Sequence, residues 1–263
     1  MAINERMNSV KQITATEGDK PMHTERGTAI KETAMKLTAS NLIRWAGLSA
    51  LVAGMLYMAV GLFHPPNVVS SVTTTQWAIV HALAIAMSFF GLLGMTGLYA
   101  RQVKESGRLG LAGYLLFSLW LVLIMGFTFT EVLILPLLAA TAPGFVEGWM
   151  GMLNGSAGTM NLGALSTVWP LTAPLYMLGG LLFGIATLRA GILSRWAAVL
   201  LAVGTVLAPV AALLPLDLQP KMAVPVGLAL AGLGYALWAE RRTHAAAPVP
   251  GRVSPQLRQT AAE

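Results

Sequence analysis

The chain has 263 residues, of which 56% are hydrophobic and only 11% charged, with a formal net charge of +6 and a mean hydropathy of +0.67. Ordinary soluble domains are about a quarter charged, and a soluble core of this size has no room for so much apolar surface, so the composition excludes that class. The charges cluster between long uncharged runs, so the positive balance speaks for membrane topology rather than nucleic acid, and the absence of cysteine excludes disulfides, thiolate nucleophiles and iron–sulfur ligation.

Residues 1–40 are polar, mix both charges and hold no sustained apolar run, which predicts a disordered cytoplasmic tail. No apolar stretch with a small-residue cleavage site follows a short basic start, so the tail does not read as a secretory signal. Met35-Lys36, just before the first span, would make a natural start, and the residues before it need not belong to the native protein.

Residues 41–242 read as an all-α, six-span transmembrane bundle. The spans are Leu42 to Phe63, Trp77 to Tyr99, Leu109 to Leu135, Val168 to Leu188, Leu193 to Leu213 and Met222 to Ala239. Each is near the roughly 20 residues that cross a hydrocarbon core of about 30 Å. Arg44, Arg101, Lys104, Arg108, Arg189, Arg195, Arg241 and Arg242 all fall on one side, while the loops His64 to Gln76 and Pro136 to Thr167 carry no Lys or Arg. Only Lys221 breaks the pattern. By the positive-inside rule both termini face the cytoplasm.

Arg44-Trp45-Ala46, Arg108-Leu109-Gly110 and Arg195-Trp196-Ala197 open the odd spans, and Gly- and Leu-rich runs ending at Arg101, Arg189 and Arg241 close the even ones. Either these mark three related helical hairpins, or any inner boundary selects such residues. Small residues at helical spacing (Ala46, Ala50, Gly54; Gly91, Gly94, Gly97; Gly180, Gly184) predict close packing within the bundle, with a dimer face as the alternative. Pro170, Pro174, Pro209 and Pro225 crowd the outer halves of the last three spans. They either open an outward cavity or kink helices that neighbours then fill. The segment 136–167, with Phe145, Trp149 and Met150 close together, reads as a short interfacial helix and a flexible return. Residues 243–263 read as a second disordered cytoplasmic tail.

Four titratable groups lie near hydrocarbon: His64, His81, Glu131 and Asp217. At 1.5 Å per residue from the inner arginines, all four come out about 30 to 34 Å away, at the outer boundary. That level disfavours a midplane proton relay and suggests a polar site at the outer mouth of the bundle. There, His64 and His81 would be imidazole ligands or acid–base groups, with Glu131 or Asp217 as carboxylate partner. Two histidines and a carboxylate can bind a divalent metal, but the spacing has no metal-site signature and no metal is assigned. The alternative is scattered interfacial polar groups, and His64-Pro65-Pro66 reads equally well as a helix stop. Trp77, Trp149 and Trp169 read as an aromatic belt in preference to a ligand cage, although Trp169 is kept as a candidate binding residue. Thr128, Thr130, Ser166, Thr167, Asn154 and Asn161 are further polar candidates.

The RWAGLSALVAGMLY opening, the FHPP turn and the LFGIATLRAGILSRWAAVLLAVG hairpin resemble those of uncharacterised six-span membrane proteins of bacteria, over roughly Asn41 to Arg242. The resemblance implies a bacterial inner-membrane location and no activity, so no catalytic residue carries over. The preferred reading is a protein in the lipid bilayer that binds or carries a small apolar or lipid-like molecule near the outer leaflet. The alternatives are a membrane-embedded enzyme with His64 or His81 as base beside Glu131, and an accessory subunit of a larger complex. No cofactor, activity or oligomeric state follows from the residues.

Overall fold

The computed structural model describes residues 38–156, 160–211, 213–215 and 218–246. The residues of both predicted tails before 38 and after 246 lie outside that set, as does Asp217. Nine α-helices and two short 3-10 turns make up the described chain, with no strand among the described residues. We number them α1 (Ala39–Phe63), α2 (Thr75–Arg101), α3 (Val103–Leu133), α4 (Leu135–Thr141), α5 (Pro143–Leu153), α6 (Leu165–Ala190), α7 (Arg195–Val206), α8 (Ala208–Ala211) and α9 (Ala223–Ala246).

Five helical segments are long and apolar enough to cross a membrane: Ala39–Phe63, Thr75–Arg101, Val103–Leu133, Leu165–Ala190 and Gln219–Glu240. They make the chain an integral, multi-pass membrane protein. The stretch 193–213, expected as one span, is instead the 12-residue α7, a break at Leu207 and the four-residue α8. Pro209 accounts for the break, because it has no N–H for the carbonyl four residues back and its ring crowds that carbonyl. The α6 prolines act differently: the helix runs unbroken through Pro170 and Pro174. Pro225 is the third residue of α9, where the missing N–H would have had no helical partner anyway.

The long helices close on themselves as a ring. α1 packs on α2, α2 on α3, α3 on α6, α6 on α7, α7 on α9, and α9 back on α1. Small residues set the spacing. A Cβ at Gly47 would stand 2.9 Å from the main-chain nitrogen of Trp238, one at Gly94 2.6 Å from Cα of Ala50, and one at Gly184 2.7 Å from the carbonyl of Ala198. The motifs read from the sequence are therefore used inside the chain, between α1 and α9, α1 and α2, and α6 and α7. The outside of the ring stays apolar, with Met55, Phe89, Leu115, Leu178, Val203 and Leu228 all exposed, the surface that a bilayer solvates.

The two ends of the ring differ in chemistry. At one, Arg101 closing α2 is paired with Glu240 of α9, the Arg44 guanidinium lies 5.6 Å from the ring centre of Trp238, and buried Gln102 donates to Thr187 at 2.8 Å. Gly107, at φ 55° and ψ −150°, turns α3 there in a conformation that side-chain-bearing residues avoid. At the other end, α4 and α5 fold over the ring. Val146, Trp149 and Met150 of α5 are buried against Val72, Trp77, Phe127 and Leu135, so the expected interfacial helix is a packed cap.

Candidate functional site

Beneath that cap lies a cavity of about 340 Å³ lined by residues from every member of the ring. Its walls are apolar and aromatic. Tyr57, Trp120 and Tyr176 meet at one end, with ring centres 5.9 Å apart for Tyr57–Trp120 and 4.7 Å for Trp120–Tyr176. Tyr57 donates a long hydrogen bond of 3.4 Å to the Tyr176 hydroxyl. The other end is polar and holds His64, Asn67, His81, Thr128, Glu131 and Gln219.

The polar end is assembled in sequence order. α1 stops at Phe63 because two prolines follow His64. The His64 Nδ1–H then donates to the Pro65 carbonyl at 2.7 Å. Burial pushes the His64 imidazole below its usual value, with His81 adding to that, while the Pro65 carbonyl and Glu131 act in the opposite sense. Thr74 caps α2 by accepting from the Trp77 N–H at 3.2 Å, which fixes the first turn that carries Trp77 and, one turn on, His81. Those two rings stack with centres 4.0 Å apart, and His81 Nδ1 donates to the Trp77 carbonyl at 2.8 Å.

Glu131 enters from the far end of α3 and is surrounded. Its Oε2 is 3.3 Å from His81 Nε2, its Oε1 accepts from Trp149 Nε1 at 3.3 Å, and its main-chain carbonyl accepts from Trp77 Nε1 at 2.8 Å. The carboxylate residue is 5% exposed and His81 2%, so each depends on the other: removing one partner leaves a buried polar group unmatched and costs about 1–3 kcal/mol. The His64 and His81 rings are 5.1 Å apart.

Four of the five residues singled out in the sequence, His64, His81, Glu131 and Trp169, line this one cavity; the fifth, Asp217, lies outside the described residues. Among the described residues no group of three or more His, Asp or Glu side chains is placed to hold a metal ion. Of the secondary candidates, Thr128 lines the cavity and donates to the Ile124 carbonyl at 2.7 Å. Asn154 donates to the Asn67 carbonyl, and Asn161 accepts from the Gly163 N–H. Thr130 is half-buried, Ser166 and Thr167 are exposed, and none of the three lines it.

The aromatic-belt reading of the tryptophans needs correction. Trp77 is fully buried and Trp149 1% exposed, and both are hydrogen-bonded to Glu131 rather than to a membrane interface; only Trp169 is partly exposed. Asn67, Tyr57, Trp120 and Tyr176 line the cavity as well, although no motif in the sequence singles them out. A signal existed: Tyr57 and His64, Trp120 and Phe127, Ile124 and Glu131, and Trp169 and Tyr176 are each seven residues apart, two turns along one helix face.

Comparison with known proteins assigns no relative: no family model, no curated protein and no solved structure matches the chain.

Proposed function

We propose that this protein binds or carries a small apolar or lipid-like molecule in the cavity at the outer end of a six-span ring. The observation that carries the reading is a largely apolar cavity, reached by all six ring helices, with one compact polar end. A volume near 340 Å³ is at the low end for ligand pockets, which run from about 300 to 1,000 Å³, so the ligand is a small molecule or single short chain and not a whole diacyl lipid.

In this reading α7 and α8 together form the sixth crossing, about 25 Å from Arg195 to Ala211 at 1.5 Å per residue. Its support is that α7 occupies a place in the ring and turns exposed Val199, Val203 and Val206 outward like its neighbours. Six crossings in three consecutive hairpins put both termini with the arginine-rich loops in the cytoplasm of a bacterial cell, the inner membrane being the host bilayer.

A second reading, an enzyme acting on a membrane-soluble substrate, is favoured by one observation, the 3.3 Å approach of His81 to Glu131, a pair able to move a proton. Native mass spectrometry of protein released from its own membrane tests the first reading. A bound molecule near one per chain is expected in the wild type. It should be lost in Ala84→Phe, which puts a ring into the cavity, and weakened in Glu131→Ala and His81→Ala. Retention unchanged in all three variants would sink the proposal, and chemical turnover of the bound molecule would favour the enzyme.

A further inference from the structure

The hydrogen-bond inventory of the cavity is lopsided. His64 Nδ1–H donates to Pro65, His81 Nδ1–H to Trp77, Thr128 Oγ–H to Ile124 and Gln219 Nε2 to Leu214, each time to a main-chain carbonyl. Those donors are spent on the protein itself. Among the described residues, the one cavity-lining side-chain atom that is buried without a hydrogen-bond partner is an acceptor, Asn67 Oδ1, and the Glu131 carboxylate supplies further acceptors. A buried acceptor left unmatched costs about 1–3 kcal/mol, and no Lys or Arg lines the cavity among the described residues to answer it. A ligand that fits must bring donors.

The His81–Glu131 contact adds a second requirement. With Nδ1–H committed to the Trp77 carbonyl, a neutral His81 would turn a bare Nε2 toward the carboxylate at 3.3 Å. Two bare acceptors facing each other at 2% and 5% exposure repel, so the geometry calls for one proton between them, as imidazolium and carboxylate or as imidazole and carboxylic acid. The pair is neutral in either form. A cation can then take the place of that proton with no change in the charge of the site.

We infer that the ligand is a small amphiphilic primary amine whose ammonium group displaces the proton held between His81 and Glu131. Its N–H donors answer His81 Nε2 and Glu131 Oε2, which stand 3.3 Å apart, with Asn67 Oδ1 a further unmatched acceptor in the same lining, and its alkyl part fills the apolar end. One positive charge enters as the ammonium and one leaves as a proton to bulk water. The aromatic walls, Trp120, Trp169, Tyr57 and Tyr176, suit a cation as well as a chain, because ring faces attract positive charge. The other titratable groups around the pair do not compete for this role. His64 is the one from the α1 side, Tyr57 and Tyr176 come from α1 and α6 deeper in the cavity, and Glu147 of α5 and Lys221 before α9 are exposed and not part of the lining. This inference rests on the binding function proposed above.

The test uses the full chain in lipid nanodiscs and three eight-carbon probes, n-octylammonium, n-octanol and n-octanoate, followed by calorimetry in buffers of different ionisation enthalpy. The amine should bind at least tenfold tighter than the alcohol, the carboxylate weakest, with protons released on amine binding and none on alcohol binding. Glu131→Gln keeps the side-chain size, still accepts from Trp149 and can donate to His81 Nε2. It should fold with a near-normal thermal midpoint and lose both the amine preference and the proton release. Alcohol binding as tight as amine binding, amine binding without proton release, or an amine preference that survives in Glu131→Gln would overturn the inference while leaving the binding function standing. If none of the three probes binds, the binding function itself fails with it.

Discussion

Trp77 Nε1 donates to the main-chain carbonyl of Glu131 at 2.8 Å, so one indole ties the start of α2 to the end of α3 while its face stacks on His81. The residue that orients the imidazole is thus the one that anchors the backbone of its carboxylate partner. Trp77→Phe keeps the stack and removes the tie. We expect a loss of about 1 kcal/mol, the net worth of one buried hydrogen bond, and weaker retention of any ligand held at Glu131. Thermal unfolding in detergent and native mass spectrometry measure the two effects; an unchanged midpoint would mean the tie carries no weight.

The glycines divide into two kinds. A Cβ at Gly54 would run into the α9 backbone at Gly227 and Ala231, whereas one at Gly126 meets nothing within 4 Å. Gly54→Leu should therefore destabilise the ring by about 3 kcal/mol or more through overpacking. Gly126→Leu should stay within about 0.5 kcal/mol of the wild type. Paired melting curves decide it, and equal shifts for the two variants would contradict the α1–α9 seam.

Because the chain has no native cysteine, single-cysteine variants report sidedness without background. Lys104→Cys and Arg195→Cys should react with a membrane-impermeant maleimide only after permeabilisation, and Met160→Cys and Lys221→Cys should react in intact cells. The Arg195 and Lys221 pair is the sensitive one, since it brackets α7 and α8. Labelling of both from the same side would reduce the crossings to five.

Stability should fall on mild acidification. Burial pushes His64 below its ordinary value of 6.5, so the unfolded chain takes up this proton more readily than the folded one. Above about pH 6.5 the group is neutral in both states and carries no penalty. As pH drops from there through the folded value, protonation favours the unfolded state, and the loss levels off below that value. The thermal midpoint should decline over this window, and less steeply in His64→Gln; parallel curves for the two proteins would assign the acid response elsewhere.

Much of this molecule was legible before its structure. Long apolar runs, arginine clusters and the level of His64, His81 and Glu131 follow from composition and from a rise of 1.5 Å per residue, and they place a polar site at one end of a helical membrane bundle. Helix existence and a residue's position along its helix are properties of a segment taken alone.

Which faces meet was not legible, and the physical reason is the solvent. Lipid is as apolar as a protein core, so a spanning helix shows no polar stripe to mark its outside. Nothing in the residues 69–77 or 143–153 distinguishes tryptophans at a membrane interface from tryptophans buried on Glu131. The ring closure through Gly47, Gly54 and Gly234 and the meeting of His81, Trp77 and Trp149 at Glu131 arise only when distant segments are brought together. Sequence determined that this chain carries helices long and apolar enough to cross a membrane and that its acid stands near the end of one of them; tertiary packing decided that His81, Trp77 and Trp149 surround that acid and leave a cavity beside it.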